Sequence, residues 1–392
     1  MRPDCLVWIG ILFGSIVLLE LIRLNFLLYS AFKKDLKLPD SGHCDPDLES
    51  PSITVVVPAK DEEDHIETVV RTILSSNYPH LELILVDDRS SDDTLEIMEK
   101  AARDDARVRV MSIRELPPEW TGKTHAMFQA AKTASSDILL FTDADAVFEK
   151  DLISRAVNFM IGRNLDMLSL LPGFLERGFL EDAVHLHLAL GLSSFYPLMK
   201  VNDEGEKEAL ASGCFIMIRK EAYYSVGTWE HFRRQVTEDI ALGKDIKARG
   251  LKLNVLRGQD LIRTKPFETL KELIGFWRRT FYGGLEKSIP KMIKLCLNYI
   301  TLIVLFGLSI YSGAVLEEGA GDVSHAVLFA ISTAVAAVVM ISYGIVIKKE
   351  HGKPVYGFSA PIGLVIGAWI AVSTFAMVLS NRGVSWRGSV YK

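Results

Sequence analysis

Ile138-Leu139-Leu140-Phe141-Thr142-Asp143-Ala144-Asp145 is the stretch on which the reading of the chain turns. Ile138 to Thr142 is mostly apolar and β-favouring, and it predicts a short buried strand. Two carboxylates separated by one residue follow at once. Side chains alternate with period two at a strand end, so Asp143 and Asp145 are expected to point the same way. Two anions held side by side repel. A divalent cation with oxygen ligands, Mg2+ or Mn2+, offsets that cost and keeps positions open for substrate phosphates. An isolated Asp-X-Asp fits an acidic turn just as well, and the flanking chain has to decide.

Working outward, strands and helices alternate from Pro51 to about Thr264. Ile53 to Val57 predicts a strand stopped by Pro58. The stretch from Glu62 to Ser75 carries Ile66, Val69, Val70, Ile73 and Leu74 on one helical face. Leu83 to Val86 predicts a second strand ending in Asp87-Asp88, and Leu95 to Ala102 a helix. Val108 to Met111 predicts a third strand and His125 to Ala134 a helix, before the strand at Ile138. This order predicts an α/β domain with a mostly parallel sheet covered by helices. In such sheets ligands bind at the carboxyl ends of the strands. Pro58-Ala59-Lys60, Asp87-Asp88 and Asp143/Asp145 all fall there, which favours one site over three separate solvated turns.

The 392 residues are nearly half hydrophobic and carry a net charge of −5. With no Lys/Arg block interleaved with aromatics, nucleic acid is not an expected partner. Cys5, Cys44, Cys214 and Cys296 form no C-x-x-C pair, so neither a disulfide framework nor a zinc site is indicated. Leu6 to Tyr29 is a long apolar stretch interrupted by Glu20 and Arg23. It is expected to be a membrane anchor, with Lys33, Lys34 and Lys37 placing the following domain in the cytoplasm. Phe267 to Ile289 mixes apolar residues with Lys271, Arg278, Arg279 and Lys287, the profile of an amphipathic helix on a membrane surface. Three apolar runs follow, at about Ile293 to Leu316, His325 to Ile347 and Phe358 to Ser380, each long enough to span a bilayer. The expected organisation is an anchor (1–30), a linker (31–50), a catalytic domain (51–265), an interfacial segment (266–290) and a membrane region (291–392), making an integral protein of the cell membrane. One conflict stands. Four spans with the domain inside would put Arg382, Arg387 and Lys392 outside, unless a C-terminal run is re-entrant.

Five ordered motifs carry a resemblance: "TVVVPAKDEE" (Thr54 to Glu63), "ILVDDRSSDDT" (Ile84 to Thr94), "GKTHAMFQA" (Gly122 to Ala130), "FTDADAVF" (Phe141 to Phe148) and "TEDIALG" (Thr237 to Gly243). In that order they resemble the family 2 glycosyltransferases, with their nucleotide-sugar-binding GT-A fold, over about Ile53 to Gly250. Trp120-Thr121-Gly122-Lys123 and the C-terminal apolar runs resemble the subgroup associated with hopanoid and carotenoid glycosylation. Trp277-Arg278-Arg279 departs from the Gln/Arg-X-X-Arg-Trp order of processive members, and membrane-interface anchoring is its plainer reading.

The resemblance implies a nucleoside diphosphate sugar donor, with Asp88 on the uracil, Asp143 near the ribose or in the metal's shell and Asp145 as metal ligand; Asp88 also reads as an N-cap or turn residue, since Ser90, Ser91 and Asp92 suit a turn. The resemblance also gives the general-base role to Asp239, with Glu238 in reserve. Pro58 and Ala59 belong to the donor-side turn. Glu62 either approaches the ribose or base or serves as a first-turn acid favoured by the helix dipole. Lys123, expected just before a helix start, suits a diphosphate. Ser212-Gly213-Cys214 resembles an acceptor-side loop, with Gly213 also readable as a turn residue. His185 and His187 lack the i, i+4 spacing of a helical metal pair. The expected function is inverting, metal-dependent transfer of a sugar from a nucleoside diphosphate, UDP for preference, to a hydroxyl of a membrane lipid. The alternatives are a processive polysaccharide synthase and a membrane-anchored nucleotide-sugar-binding protein without turnover. The sequence leaves the sugar, the acceptor and the oligomeric state open.

Overall fold

The computed structural model describes residues 7–19, 22, 36–39, 50–386 and 389–391. The expectations attached to Cys5, Cys44, Glu20, Arg23, Lys33, Lys34, Arg387, Lys392 and most of the linker lie outside these residues. The chain divides into two compact units. One comprises Leu36–Glu176 and Phe195–Pro266, the other Met1–Asp35, Arg177–Ser194 and Phe267–Lys392. The segment 51–265, expected to be continuous, is therefore interrupted: residues 177–194 join the second unit.

Helix α1 (Val7–Leu19) precedes the first unit. That unit then runs β1 (Ile53–Ala59), α2 (Ile66–Leu74), β2 (Leu81–Asp88), α3 (Thr94–Asp104), β3 (Val108–Ile113), α4 (Gly122–Thr133) and β4 (Ile138–Phe141). It continues through β5 (Val147–Phe148), α5 (Leu152–Gly162), β6 (Met167–Leu171) and β7 (Gly173–Phe174). A π-helix (Leu180–His185) and α6 (Leu186–Ser193) leave for the second unit. The chain returns with α7 (Leu198–Val201), β8 (Ile216–Arg219), α8 (Lys220–Ser225), α9 (Thr228–His231), α10 (Glu238–Ala248), β9 (Leu253–Arg257) and β10 (Ile262–Thr264).

The main sheet has the order β3-β2-β1-β4-β8-β6-β9, and β5-β10-β7 form a small second sheet. Strands β1 to β4 are mutually parallel, and β8 runs antiparallel to both its neighbours. Strand β1 is buried along its whole length, which is why Val55-Val56-Val57 reads as an unbroken apolar run rather than an alternating one. Its one hydroxyl, on Thr54, is satisfied by Glu82 Oε2 and Ser136 Oγ, each at 2.8 Å. Order reverses between β1 and β4, so a crevice opens at the carboxyl ends of these strands.

The strand does not stop at Pro58; it continues to Ala59, which lies opposite Asp87. The carbonyl of Val56 accepts from Thr142 N–H, so alternate residues Val56 and Pro58 face β4. Strand β4 ends opposite Val56. The N–H that Pro58 lacks thus falls on the side where no ladder partner remains, and proline costs nothing there.

The second unit adds α11 (Leu270–Gly284), α12 (Ile289–Glu317), α13 (Val323–Lys349), a 3-10 turn (Pro354–Ser359), α14 (Ala360–Leu379) and the hairpin β11 (Val384–Trp386) and β12 (Ser389–Tyr391). The three expected apolar runs are thus helices long and apolar enough to cross a membrane. Helices α12 and α13 form an antiparallel hairpin, with Ser309 and Thr333 hydroxyls 2.7 Å apart. Helix α11 is amphipathic as expected and buries Leu273, Trp277, Phe281 and Tyr282. Trp277 is not an interfacial anchor: its indole is buried and donates to His185 Nδ1 at 3.3 Å.

Candidate active site

The centre of the site is Gly213, in the loop entering β8. Its N–H donates to Asp239 Oδ2 at 2.9 Å, and Asp239 Oδ1 accepts from Ile240 N–H at 2.8 Å. Asp239 lies in the first turn of α10 beside Glu238, at the positive end of the helix dipole. The Lys123 ammonium sits 2.7 Å from Asp143 Oδ1 and 3.0 Å from Glu238 Oε1. A Cβ on Gly213 would come within 2.7 Å of Lys123 Nζ. Gly213 does not adopt the left-handed backbone of a turn glycine; its missing side chain makes room for the lysine. The neighbouring Cys214 donates its thiol to Asp143 Oδ2 at 3.3 Å, and its carbonyl accepts from Thr142 Oγ1 at 2.6 Å. Asp143, Lys123, Glu238 and Asp239 come from three separate segments and meet at this one glycine.

The electrostatics set these groups apart. Burial would lower the Lys123 pKa, but the charges of Asp143 and Glu238 outweigh it and hold the ammonium well above its usual range. Asp239 goes the other way: burial and the Glu238 charge push its carboxyl up to about 7, against Lys123 and the two N–H donors. A carboxyl poised near neutrality fits proton transfer.

Asp143 and Asp145 do neighbour each other, but not for the reason the strand pattern gave. Strand β4 ends at Phe141, and both residues lie in the turn before β5. Burial, then the charges of Asp143 and Glu62, push the Asp145 carboxyl up to about 7, with Lys265 acting against them. The carboxylates of two turns therefore concentrate negative charge at Asp145, the environment a divalent cation relieves. Among the described residues no three His, Cys, Asp or Glu side chains form a metal-binding group. The protein offers such an ion a carboxylate pair, which fits a cation that takes further oxygens from a diphosphate.

Glu62 is not a first-turn acid. It occupies the turn ahead of α2, which starts only at Ile66, and its N–H donates to Thr94 Oγ1 at 2.8 Å. Lys123 is the second residue of α4 rather than a residue before it, because Thr121 caps the helix by accepting from Thr124 N–H at 3.1 Å. Asp88 is buried at the end of β2 and receives the Arg89 guanidinium at 2.8 and 3.1 Å. A Cβ on Gly122 would lie 2.0 Å from Asp88 Oδ2, so only glycine lets α4 start against that carboxylate. The turn-forming role belongs to Asp87, which accepts from Ser90 N–H at 3.1 Å. Pro58 and Ala59 are buried in β1 beside this turn.

Sequence reasoning missed Arg89, Lys265 and the thiol of Cys214, and it left the purpose of Gly213 open. The Ser212-Gly213-Cys214 stretch was the available signal, but a glycine kept for its missing side chain looks the same in sequence as a turn glycine. His185 and His187 belong to the second unit and face different partners. Burial pushes each ring down to about 3; His185 packs on Trp277, and His187 stacks on Tyr343 at 3.8 Å.

Residues 54–227 match the family model described as Glycosyl transferase family 2, and the mostly parallel sheet over them has the GT-A fold. Among curated proteins, the 4,4'-diaponeurosporenoate glycosyltransferase of Staphylococcus aureus strain USA300 is 25% identical over 248 residues, 62% of this chain and 64% of that protein. The protein of the same name in the bovine strain RF122 is 26% identical over 251 residues, with the same coverage. The match thus spans under two thirds of the length of these relatives. Among solved structures, the mannosyltransferase PcManGT of Pyrobaculum calidifontis, in complex with GDP-Man and Mn2+, matches with a TM-score of 0.50 at 17% identity. That match covers 93% of this chain and 99% of that one and bears on the fold alone.

Proposed function

We propose that the protein is a membrane-bound inverting glycosyltransferase that moves a sugar from a nucleoside diphosphate, UDP for preference, to a hydroxyl of a lipid. The observation that carries this reading is the meeting of Asp143, Lys123, Glu238 and Asp239 around Gly213. It sets a diphosphate-seeking cation next to a carboxylate poised to take a proton. An acceptor hydroxyl is a poor nucleophile at neutral pH and needs a base as it attacks. Asp239 takes the proton, the oxygen bonds to the anomeric carbon, and the bond to the diphosphate breaks with its electrons leaving on the nucleotide. Attack opposite the leaving group inverts the carbon. Lys123 stays beside the negative charge of the departing diphosphate. Asp145, with Asp143 beside it, would hold Mg2+ or Mn2+, and such an ion when bound neutralises charge on the leaving nucleotide. Pro58, Ala59, Glu62 and Asp88 line the nucleotide side, with Asp88 released from Arg89 to accept from the base.

The lipid acceptor is supported by the three long apolar helices and by the carotenoid-acid glycosyltransferases among the relatives. The basic residues Lys348 and Lys349 at the end of α13 and Lys291 and Lys294 at the start of α12 support a cytoplasmic catalytic domain. The test is to incubate membranes with a panel of labelled nucleotide sugars and extract the lipids. Label in the organic phase, lost with EDTA and restored by Mn2+ or Mg2+, is the expected result. Donor binding without transfer or donor hydrolysis would reduce the protein to a binder, and label retained in a growing polymer would make it a synthase.

A further inference from the structure

We propose that α14 does not cross the membrane but is a re-entrant helix lying in the leaflet that α12 leaves and α13 re-enters, with its exposed apolar stripe embedded among the acyl chains. By length and composition α14 qualifies as a span. Its packing within the second unit argues otherwise.

Helices α12 and α13 fix a scale of depth. Ser309 lies opposite Thr333, and a Cβ on Gly313 would touch the Phe329 ring at 3.0 Å. The start of α12 is therefore level with the end of α13. That end is basic, with Lys291, Lys294, Lys348 and Lys349, while the opposite end carries Glu317, Glu318 and Asp322. After α13 the chain folds back along it. A Cβ on Gly357 would lie 2.7 Å from the Met340 carbonyl and 3.0 Å from Gly344 Cα. Two glycines let the backbones meet, and the 3-10 turn is covered by protein where its irregular backbone enters apolar depth. Met340 is nine residues before Lys349, so the chain has descended roughly 14 Å from the basic end.

A helix of the length of α14 advances roughly 30 Å. Had it continued downward, its second half would lie at the acidic end, near Gly313 and Asp322. It does not. Gly367 lies on Tyr299, so closely that a Cβ would come within 2.5 Å of the ring. Six residues later Ser373 Oγ accepts from Arg278 Nε at 3.2 Å, and the Arg278 guanidinium stacks on Trp369 at 4.6 Å. Arg278 belongs to α11, which ends four residues before α12 starts, at the basic end, and which also packs on β11. Lys271, Glu272 and Arg279 on α11 cannot lie in hydrocarbon. Both ends of α14 are therefore on one side. Ile362, Val365, Trp369, Val372 and Leu379 form an exposed stripe at helical spacing. The occupant that suits it is a lipid leaflet, with the Arg278 guanidinium stacked on Trp369 and reaching toward the headgroups. The charge conflict in the sequence is then eased: Arg382 shares the side of Lys348 and Lys349.

The test is labelling by a membrane-impermeant maleimide in sealed vesicles of known orientation, using the full-length protein with its four native cysteines changed to serine. Single cysteines are placed by Glu318→Cys, Lys353→Cys and Arg382→Cys. The expected result is that Arg382→Cys and Lys353→Cys react from one side and Glu318→Cys only from the other. Arg382→Cys reacting together with Glu318→Cys would overturn the proposal, and so would all three reacting from one side. As a check independent of the serine background, tryptic cleavage at Arg382 of the unaltered protein should occur from the side on which Lys349 is cut; cleavage only from the opposite side would also overturn it. Neither readout depends on catalytic activity.

Discussion

Asp239 in the sheet unit and Asp182 in the helical unit are both buried carboxylates, and they are treated in opposite ways. Asp182 is fully buried within the π-helix. It takes the Arg177 guanidinium at 2.7 Å on one oxygen and Lys353 N–H at 2.9 Å on the other. A Cβ on Gly352 would lie 2.4 Å from it, so the loop after α13 is shaped to close over this ion pair. Asp239 instead sits beside a second carboxylate and shares the Lys123 ammonium with Asp143 and Glu238. A carboxylate whose oxygens are matched by a cation and a backbone donor is part of the framework. One crowded by like charge is held in readiness for a proton or a ligand.

Substitutions should separate the two behaviours. Asp145→Ala is expected to have the largest catalytic effect, abolishing turnover and the divalent-ion dependence of donor binding with no change in thermal stability. Full activity in the variant, or in EDTA, would end the cation role. Asp182→Asn should do the reverse. Removing the charge that faces the buried Arg177 guanidinium costs about 3–5 kcal/mol, seen as a lower unfolding temperature in detergent. Unchanged stability would show that the pair is not structural. Gly213→Ala pushes on Lys123, and a displacement of that size near a reacting centre costs roughly 10²-fold in kcat. A silent change would mean that the lysine position does not matter. The smallest effect is expected from Asp88→Ala, which should raise KM for a uridine donor more than Ser91→Ala does; equal effects would move the base elsewhere.

The pH dependence follows from the same crowding. Asp239 and Asp145 are raised above the ordinary carboxylate range, and both are useful only when ionised. In the free enzyme kcat/KM should therefore climb with pH and level off above about 7. A plateau already reached at pH 5 would mean that neither group titrates where the burial and charges place it.

Much of the sheet unit was legible because its signals are local. Val55 to Val57 and Leu83 to Val86 are short apolar runs that end in polar clusters, and parallel strands put those clusters at one edge. Asp143 and Asp145 do lie side by side, although in a turn rather than at a strand end. What escaped depends on partners distant in sequence. Nothing near Asp182 announces that Lys353 will donate to it, so residues 177–194 read as an ordinary part of the sheet domain. Gly213 and Gly122 are needed because Lys123 and Asp88 arrive from elsewhere. Trp277 looked interfacial because its sequence neighbours are arginines, while its indole is turned inward to His185.

Asp239→Asn tests the central claim most directly, since it keeps the shape of the side chain and removes its basicity. Donor binding and label transfer to lipid are measured on the same membranes. The expected result is donor affinity within a few-fold of the original and turnover lower by roughly 10²–10⁴, the usual worth of a general base. Near-normal turnover in this variant, with Glu238→Gln inactive, would move the base one residue back. Near-normal turnover in both would contradict the mechanism.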